Sequence, residues 1–294
     1  MVLMTLKDFS FMIDRDKHIY KRVQEHYDYA VAQGYEVVCC MLQGSQNYKL
    51  DVYTDEYKSD IDTKAIVLPK FDDFCRMKEP ISTTLILPNN EHCDVKDIRV
   101  MFKTFEKQNI NFLEILFTEY FIVNPKYKDL VKDMFLMADE VASINWNQAL
   151  NCISGMSKEK LNAMEHPYPT IIDKIEKYGY DPKQLHHIIR MNDFIKKFVS
   201  GEPYRDCLIP DDIEYLKKIK TTPMPLEEAR KLAIDIDNET YEIKQKHLKQ
   251  DNIIREDVIE KLRELSCDFI KQYLKEQLLE EVWNINLKKS FFQN

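Results

Sequence analysis

The chain has 294 residues, 44% hydrophobic and 31% charged, which excludes a disordered or fibrous polypeptide and leaves room for one large domain or two ordinary ones. Its formal net charge of −8 argues against a protein whose main work is coating nucleic acid, because phosphate neutralisation demands clustered Lys and Arg. Only 5 glycines occur, so a chain this rich in Lys, Glu, Leu and Ile is expected to be mostly helical.

The opening residues, Met1 to Lys17, lack the charged-then-apolar order of a signal peptide. No apolar run anywhere approaches the roughly 18 residues of a membrane span. Residues 14–33 place Ile19, Val23, Tyr27, Ala30 and Val31 at helical spacing and stop at Gly34, so they read as a glycine-ended helix. The β-branched run 35–42 is too short for a helix and suits a buried strand ending at Gly44-Ser45. A polar spacer over 46–59 leads to a second strand at 60–69, closed by Pro69. Two more strands are expected at 81–87 and 92–96, joined by the turn Pro88-Asn89-Asn90.

From Asp97 onward the apolar period becomes that of a helix. Ile98, Met101, Phe102 and Phe105 make one face, Phe112, Leu113, Leu116 and Phe117 the next, and Val258 to Tyr273 a long stripe that suits an intramolecular helix. Breakers at Pro125, Pro167, Pro182, Gly201, Pro210 and Pro223 divide the helices. The pattern predicts an α/β (α+β) module with a small mixed sheet over 1–125, then an all-helical domain over 126–294, with a soft boundary near 125–150. The 7 cysteines form no Cys-x-x-Cys pair and read as reduced, buried thiols of a cytoplasmic protein.

Chemistry concentrates in two short stretches. Gly44 after a strand lets the backbone turn without a Cβ in the way, and a short helix starting beyond it would make Ser45 and the free amides an anion site. Asp60 and Asp62 flank an isoleucine at strand alternation, which puts both carboxylates on one face about 7 Å apart. Paired acids repel unless a cation neutralises them, and oxygen-only ligands suit Mg²⁺ or Mn²⁺. A third strand carboxylate is offered by Asp94 or Asp97. Asp97 opens the following helix, where a cap is the structural expectation, so Asp94 is the preferred ligand or general base.

This order of motifs resembles the DNA polymerase β-like nucleotidyltransferase superfamily. Ser59-Asp60-Ile61-Asp62, Asp97-Ile98-Arg99 and Asn109 to Leu116 look like a bacterial and phage branch of predicted nucleotidyltransferases of RNA-repair type. That branch often has Asn-Pro where this chain has Ile110-Asn111. A second, helical similarity runs from Lys183 through His187 and Arg190 to Gly201-Glu202, then Leu216 to Lys220 and Glu227 to Ala229. The resemblance covers roughly 35–235, with a longer spacer than usual between Ser45 and Asp60. It implies that Gly44 and Ser45 hold the triphosphate, Asp60 and Asp62 the metals, and Asp94 the third metal position.

Lys64 alternates onto the face of Asp62, where it reaches a phosphate or stands as an exposed strand lysine. His187 and Arg190 share a helix face and are candidates for nucleotide or acceptor contact. The activity implied is transfer of an NMP from an NTP, with ATP expected, to an acceptor hydroxyl. An RNA 3′ end, a protein (AMPylation) and a small molecule all remain open as acceptor. The rival classes are a catalytically inactive nucleotide-binding regulatory module and a purely structural helical protein.

Overall fold

A computed structural model describes residues 14–54 and 58–291, apart from the side chains of 280–291. Residues 1–13, part of the segment read for a targeting signal, and 55–57 of the polar spacer lie outside the described residues. Helix α1 (Asp14–Ala32) precedes strand β1 (Glu36–Gln43), and Gly34 between them takes a left-handed φ of 85°. A short 3₁₀ turn at Ser45–Tyr48 leads through an irregular loop to β2 (Asp62–Leu68) and the one-turn α2 (Phe71–Cys75). Strands β3 (Ser82–Ile86) and β4 (His92–Asp97) follow, then α3 (Ile98–Glu106) and α4 (Ile110–Leu113), a 3₁₀ turn at Glu114–Phe117, and β5 (Phe121–Val123).

The sheet is five-stranded in the order β3-β4-β2-β1-β5, with β2 and β4 parallel and the other pairs antiparallel, so it is mixed as expected. The four strands read from sequence are present. Strand β5 and helix α2 were not anticipated, because three residues of edge strand and a single helical turn are too short for either periodicity to register. The apolar run of β1 is unbroken because both of its faces are buried: Val37, Cys40 and Leu42 face α1, while Val38, Cys39 and Met41 face the helices beyond, a register shift between Val37 and Cys39 putting Val38 and Cys39 on one side.

Residues beyond 125 are helical: α5 (Lys128–Leu136), α6 (Ala138–Ala142), α7 (Trp146–Ala163), α8 (Ile172–Tyr178), α9 (Pro182–Ser200), α10 (Tyr204–Leu208), α11 (Ile213–Thr221), α12 (Leu226–His247) and α13 (Glu256–Phe291). The expected breakers do their work at Pro182, which sits at the first position of α9 behind the Asp181 cap, and at Gly201, which ends it with φ 87°. Helix α13 returns to the start of the chain and packs against α3, α5 and β2. Its Val258, Leu262, Leu265, Phe269 and Tyr273 are buried within one apolar cluster that also holds Ile66 and Leu68 of β2. The stripe is intramolecular, as expected, although the helix that carries it runs for 36 residues.

The thiols divide. Cys39, Cys40, Cys93 and Cys207 are buried, but Cys75 and Cys267 are exposed, so the expectation of buried cysteines holds only for the core set. Among the described residues no helix is long and apolar enough to cross a membrane.

Candidate active site

Backbone conformation opens the site. Gly44 ends β1 with φ 101° and ψ −153°, a region open in practice to glycine alone, and the chain turns there into the 3₁₀ segment begun by Ser45. Across the antiparallel ladder Gln43 is the partner of Asp62, so the carboxylate pair begins beside the glycine turn. Asp60 precedes the strand, Ile61 is buried and Asp62 opens β2; both acids line one cavity, although Asp60 lies outside the strand on which alternation was expected to place it.

The loop between them is tied down from several sides. The Gln46 side-chain amide donates to the Asp60 carbonyl at 2.7 Å, and Arg15 grips both carboxylate oxygens of Asp51 at 2.8 and 2.6 Å while also reaching the Gln46 carbonyl. The His92 backbone amide donates to Asp62 Oδ1 at 3.1 Å and orients that carboxylate.

The cavity has a volume of about 200 Å³. One wall is the sheet end: Gly44, Ser45, Ser59, Asp60, Asp62 and, from the segment after α4, Glu114. The opposite wall is helical and basic, with Lys160 from α7, Lys183, His187 and Arg190 from α9, and Lys220 from α11. Burial lowers Lys220 to about 8, and its Nζ donates to Ser59 Oγ at 3.3 Å. His186 is buried, donates through Nδ1–H to the Leu216 carbonyl at 3.0 Å, and is pushed down to about 3 by burial, so it is neutral near pH 7. Burial likewise lowers His187, and its cationic neighbours act in the same direction. Arg190 lies over the Tyr48 ring, 4.1 Å from its centroid, which gives that tyrosine a partner inside the fold rather than a base to stack on.

Gly44, Ser45, Asp60, Asp62, His187 and Arg190 are therefore brought together. Asp94 and Lys64 are not among the residues that line the cavity. Lys64 is 2% exposed, pairs with Asp94 at 3.0 Å and sits 4.0 Å from the centroid of Phe112, neither a phosphate contact nor an exposed lysine. Parallel register explains the pairing, since Lys64 lies directly across from Asp94, whose other oxygen accepts from Thr84. Asp97 is the cap it was expected to be, accepting from the Arg99 amide at 2.9 Å. Among the described residues no group of three or more His, Cys, Asp or Glu side chains is arranged to hold a metal ion.

Glu114 is a lone acid in an apolar stretch of the sequence, and no motif marks it, Lys160 or Lys220 as a site residue. Lys183 could have been found, because Lys183, His187 and Arg190 recur at i, i+4 and i+7 on one helix face. Lys160 and Lys220 sit on other helices, and no spacing connects them.

The chain matches no protein-family model and no curated protein. Among solved structures it is similar to the crystal structure of a nucleotidyltransferase-like protein from Exiguobacterium sibiricum 255-15, at 12% identity, with 78% of this chain and 75% of that chain covered and a TM-score of 0.28.

Proposed function

We propose that the chain is a metal-dependent nucleotidyltransferase that moves an NMP from an NTP, ATP first, to an acceptor hydroxyl with release of pyrophosphate. The observation that carries this reading is the meeting of Asp60 and Asp62 with the Gly44-Ser45 turn in one cavity, faced by the cations Lys160, Lys183, Arg190 and Lys220. The donor chemistry fits Mg²⁺ or Mn²⁺, which bind through one or two carboxylates and complete their shell with water and substrate phosphate. Asp60 and Asp62 are the residues that would hold the ion; bound there, it would neutralise phosphate charge and ease departure of pyrophosphate. Because Lys64 occupies Asp94, the third position foreseen for that residue is not part of the proposal.

The remaining work falls to the chain's own groups. Gly44 lets a phosphate approach the backbone, and Ser45 offers a hydroxyl beside it. The basic wall opposes the charge of a polyphosphate and would attract it electrostatically. The same wall suits an acceptor that is itself anionic, and an RNA 3′ end is the acceptor to test first.

The test is incubation with each α-labelled NTP, Mg²⁺ or Mn²⁺, and total RNA or cell lysate. Labelled RNA supports the repair-type reading, and labelled protein supports AMPylation. Absence of label with either metal, alongside measurable NTP binding, would transfer the weight to a catalytically inactive regulatory module. Asp60→Asn or Asp62→Asn is expected to lower transfer by several orders of magnitude with the fold intact.

A further inference from the structure

Glu114 is 1% exposed, yet its side chain spans the junction between the glycine turn and the helical wall. Its Oε1 accepts from the Gly44 amide at 3.0 Å. Its Oε2 has no hydrogen-bond partner among the described residues, and neither do Nε and Nη1 of the buried Arg190 guanidinium, which attracts it. Arg190 in turn rests on Tyr48 of the same turn. A buried acceptor and two buried donors left unpaired are costly, and their coexistence beside a cavity points to a ligand that would satisfy them.

An incoming phosphate would compete with Glu114 for both the Gly44 amide and Arg190. Two anions cannot share those donors without one being neutralised. We propose that Glu114 is a positioning residue of this phosphate pocket, holding the Gly44 turn and Arg190 in place when the pocket is empty and taking a proton from solvent onto its carboxylate when a polyphosphate enters. The inference rests on reading the cavity as a phosphate site and is independent of any transfer step.

The charge environment makes the exchange feasible near neutrality. Burial raises the Glu114 carboxyl to about 7, with Arg190 and the Gly44 amide pulling against it. Tyr204 of α10 also faces it, and the buried Tyr204 hydroxyl is raised well above its ordinary range, so it stays protonated. The other ionisable groups of the cavity are Lys160, Lys183, Lys220, which burial lowers to about 8, the histidines His186 and His187, both lowered by burial, and the carboxylates Asp60 and Asp62, all of them shared by the parent and Glu114→Gln.

The probe is inorganic tripolyphosphate without metal, titrated calorimetrically at pH 7 in two buffers of different ionisation enthalpy. The intact protein is expected to take up a substantial fraction of a proton per site in excess of Glu114→Gln, whose amide still accepts from Gly44 but does not titrate. Lys220→Arg should keep the uptake at pH 7, separating Glu114 from the lysine. Affinity of the intact protein should fall several-fold between pH 6 and pH 8.5, with a shallower fall in Glu114→Gln. In the unmutated protein a protonated-carboxyl infrared band should grow as tripolyphosphate is added, which keeps the test available if the variant does not fold. Equal proton uptake by the parent and Glu114→Gln, or no such band, would overturn the proposal. No binding of tripolyphosphate at all would overturn the phosphate reading of the cavity along with it, whereas binding with proton uptake but no NMP transfer would sink only the enzymatic reading.

Discussion

Glu114 lies between Leu113 and Ile115 in a run that is otherwise apolar, and the fold buries it with no salt-bridge contact among the described residues. A carboxyl whose folded pKa is raised, here from 4.5 to about 7, binds more protons folded than unfolded in that window, so its ionisation destabilises the protein as pH rises through it. Glu114→Gln is therefore expected to be more stable than the parent at pH 8, by up to about 3 kcal/mol, with the difference shrinking as pH falls toward 5. Urea denaturation at the two pH values reads this directly. Glu91 has the opposite sign: contacts from His26, Asn89 and Arg22 outweigh burial and hold it at about 2. Its stabilising contribution is present above pH 4.5 and is lost as pH falls through 2, so Glu91→Gln should narrow the acid-denaturation difference between pH 5 and pH 2.

At the scale of elements, the strand-to-turn junction at Gly44 decides where the amides of the turn point. A Cβ at Gly44 would meet no atom within 4 Å, so the penalty of Gly44→Ala is conformational rather than steric crowding by neighbours. It is expected to cost about 1–3 kcal/mol and to weaken tripolyphosphate binding more than Ser45→Ala does. The start of α3 is a second such junction. Asp97 caps that helix and also grips the Arg99 guanidinium at 2.9 and 2.7 Å, so Asp97→Ala should lose about 0.5–2 kcal/mol, measured by thermal or urea unfolding.

Across the whole molecule, a single apolar cluster links the inner face of the sheet to α3, α5, α9 and α13. The cavity sits at that seam, so its two walls keep their spacing only while the seam is intact. Phe269→Ala, at a fully buried position 0% exposed, is expected to cost about 3–5 kcal/mol. Because α13 packs on β2, the loss should also appear as faster hydrogen exchange at β2 amides, far from it in sequence. Exchange confined to α13 would show that the cluster does not act as one unit.

Alternation, helical periodicity and breaker residues indicated four strands, the helical second half, the stops at Gly34 and Gly201, the glycine turn and the nearness of Asp60 to Asp62, because each is a matter of neighbours along the chain. Tertiary structure decided what those residues meet. Parallel register set Asp94 against Lys64 and removed both from the cavity, while the return of α7, α9 and α11 over the sheet end supplied Lys160, Lys183, Arg190 and Lys220. Glu114 shows the difference within one residue: its oddity was visible in the sequence, but its bond to Gly44, 70 positions away, exists only once the chain has closed on itself. Local spacing fixes directions along an element, whereas charge partners are chosen by packing between elements, and that is why the acidic pair was legible and its basic counterpart was not.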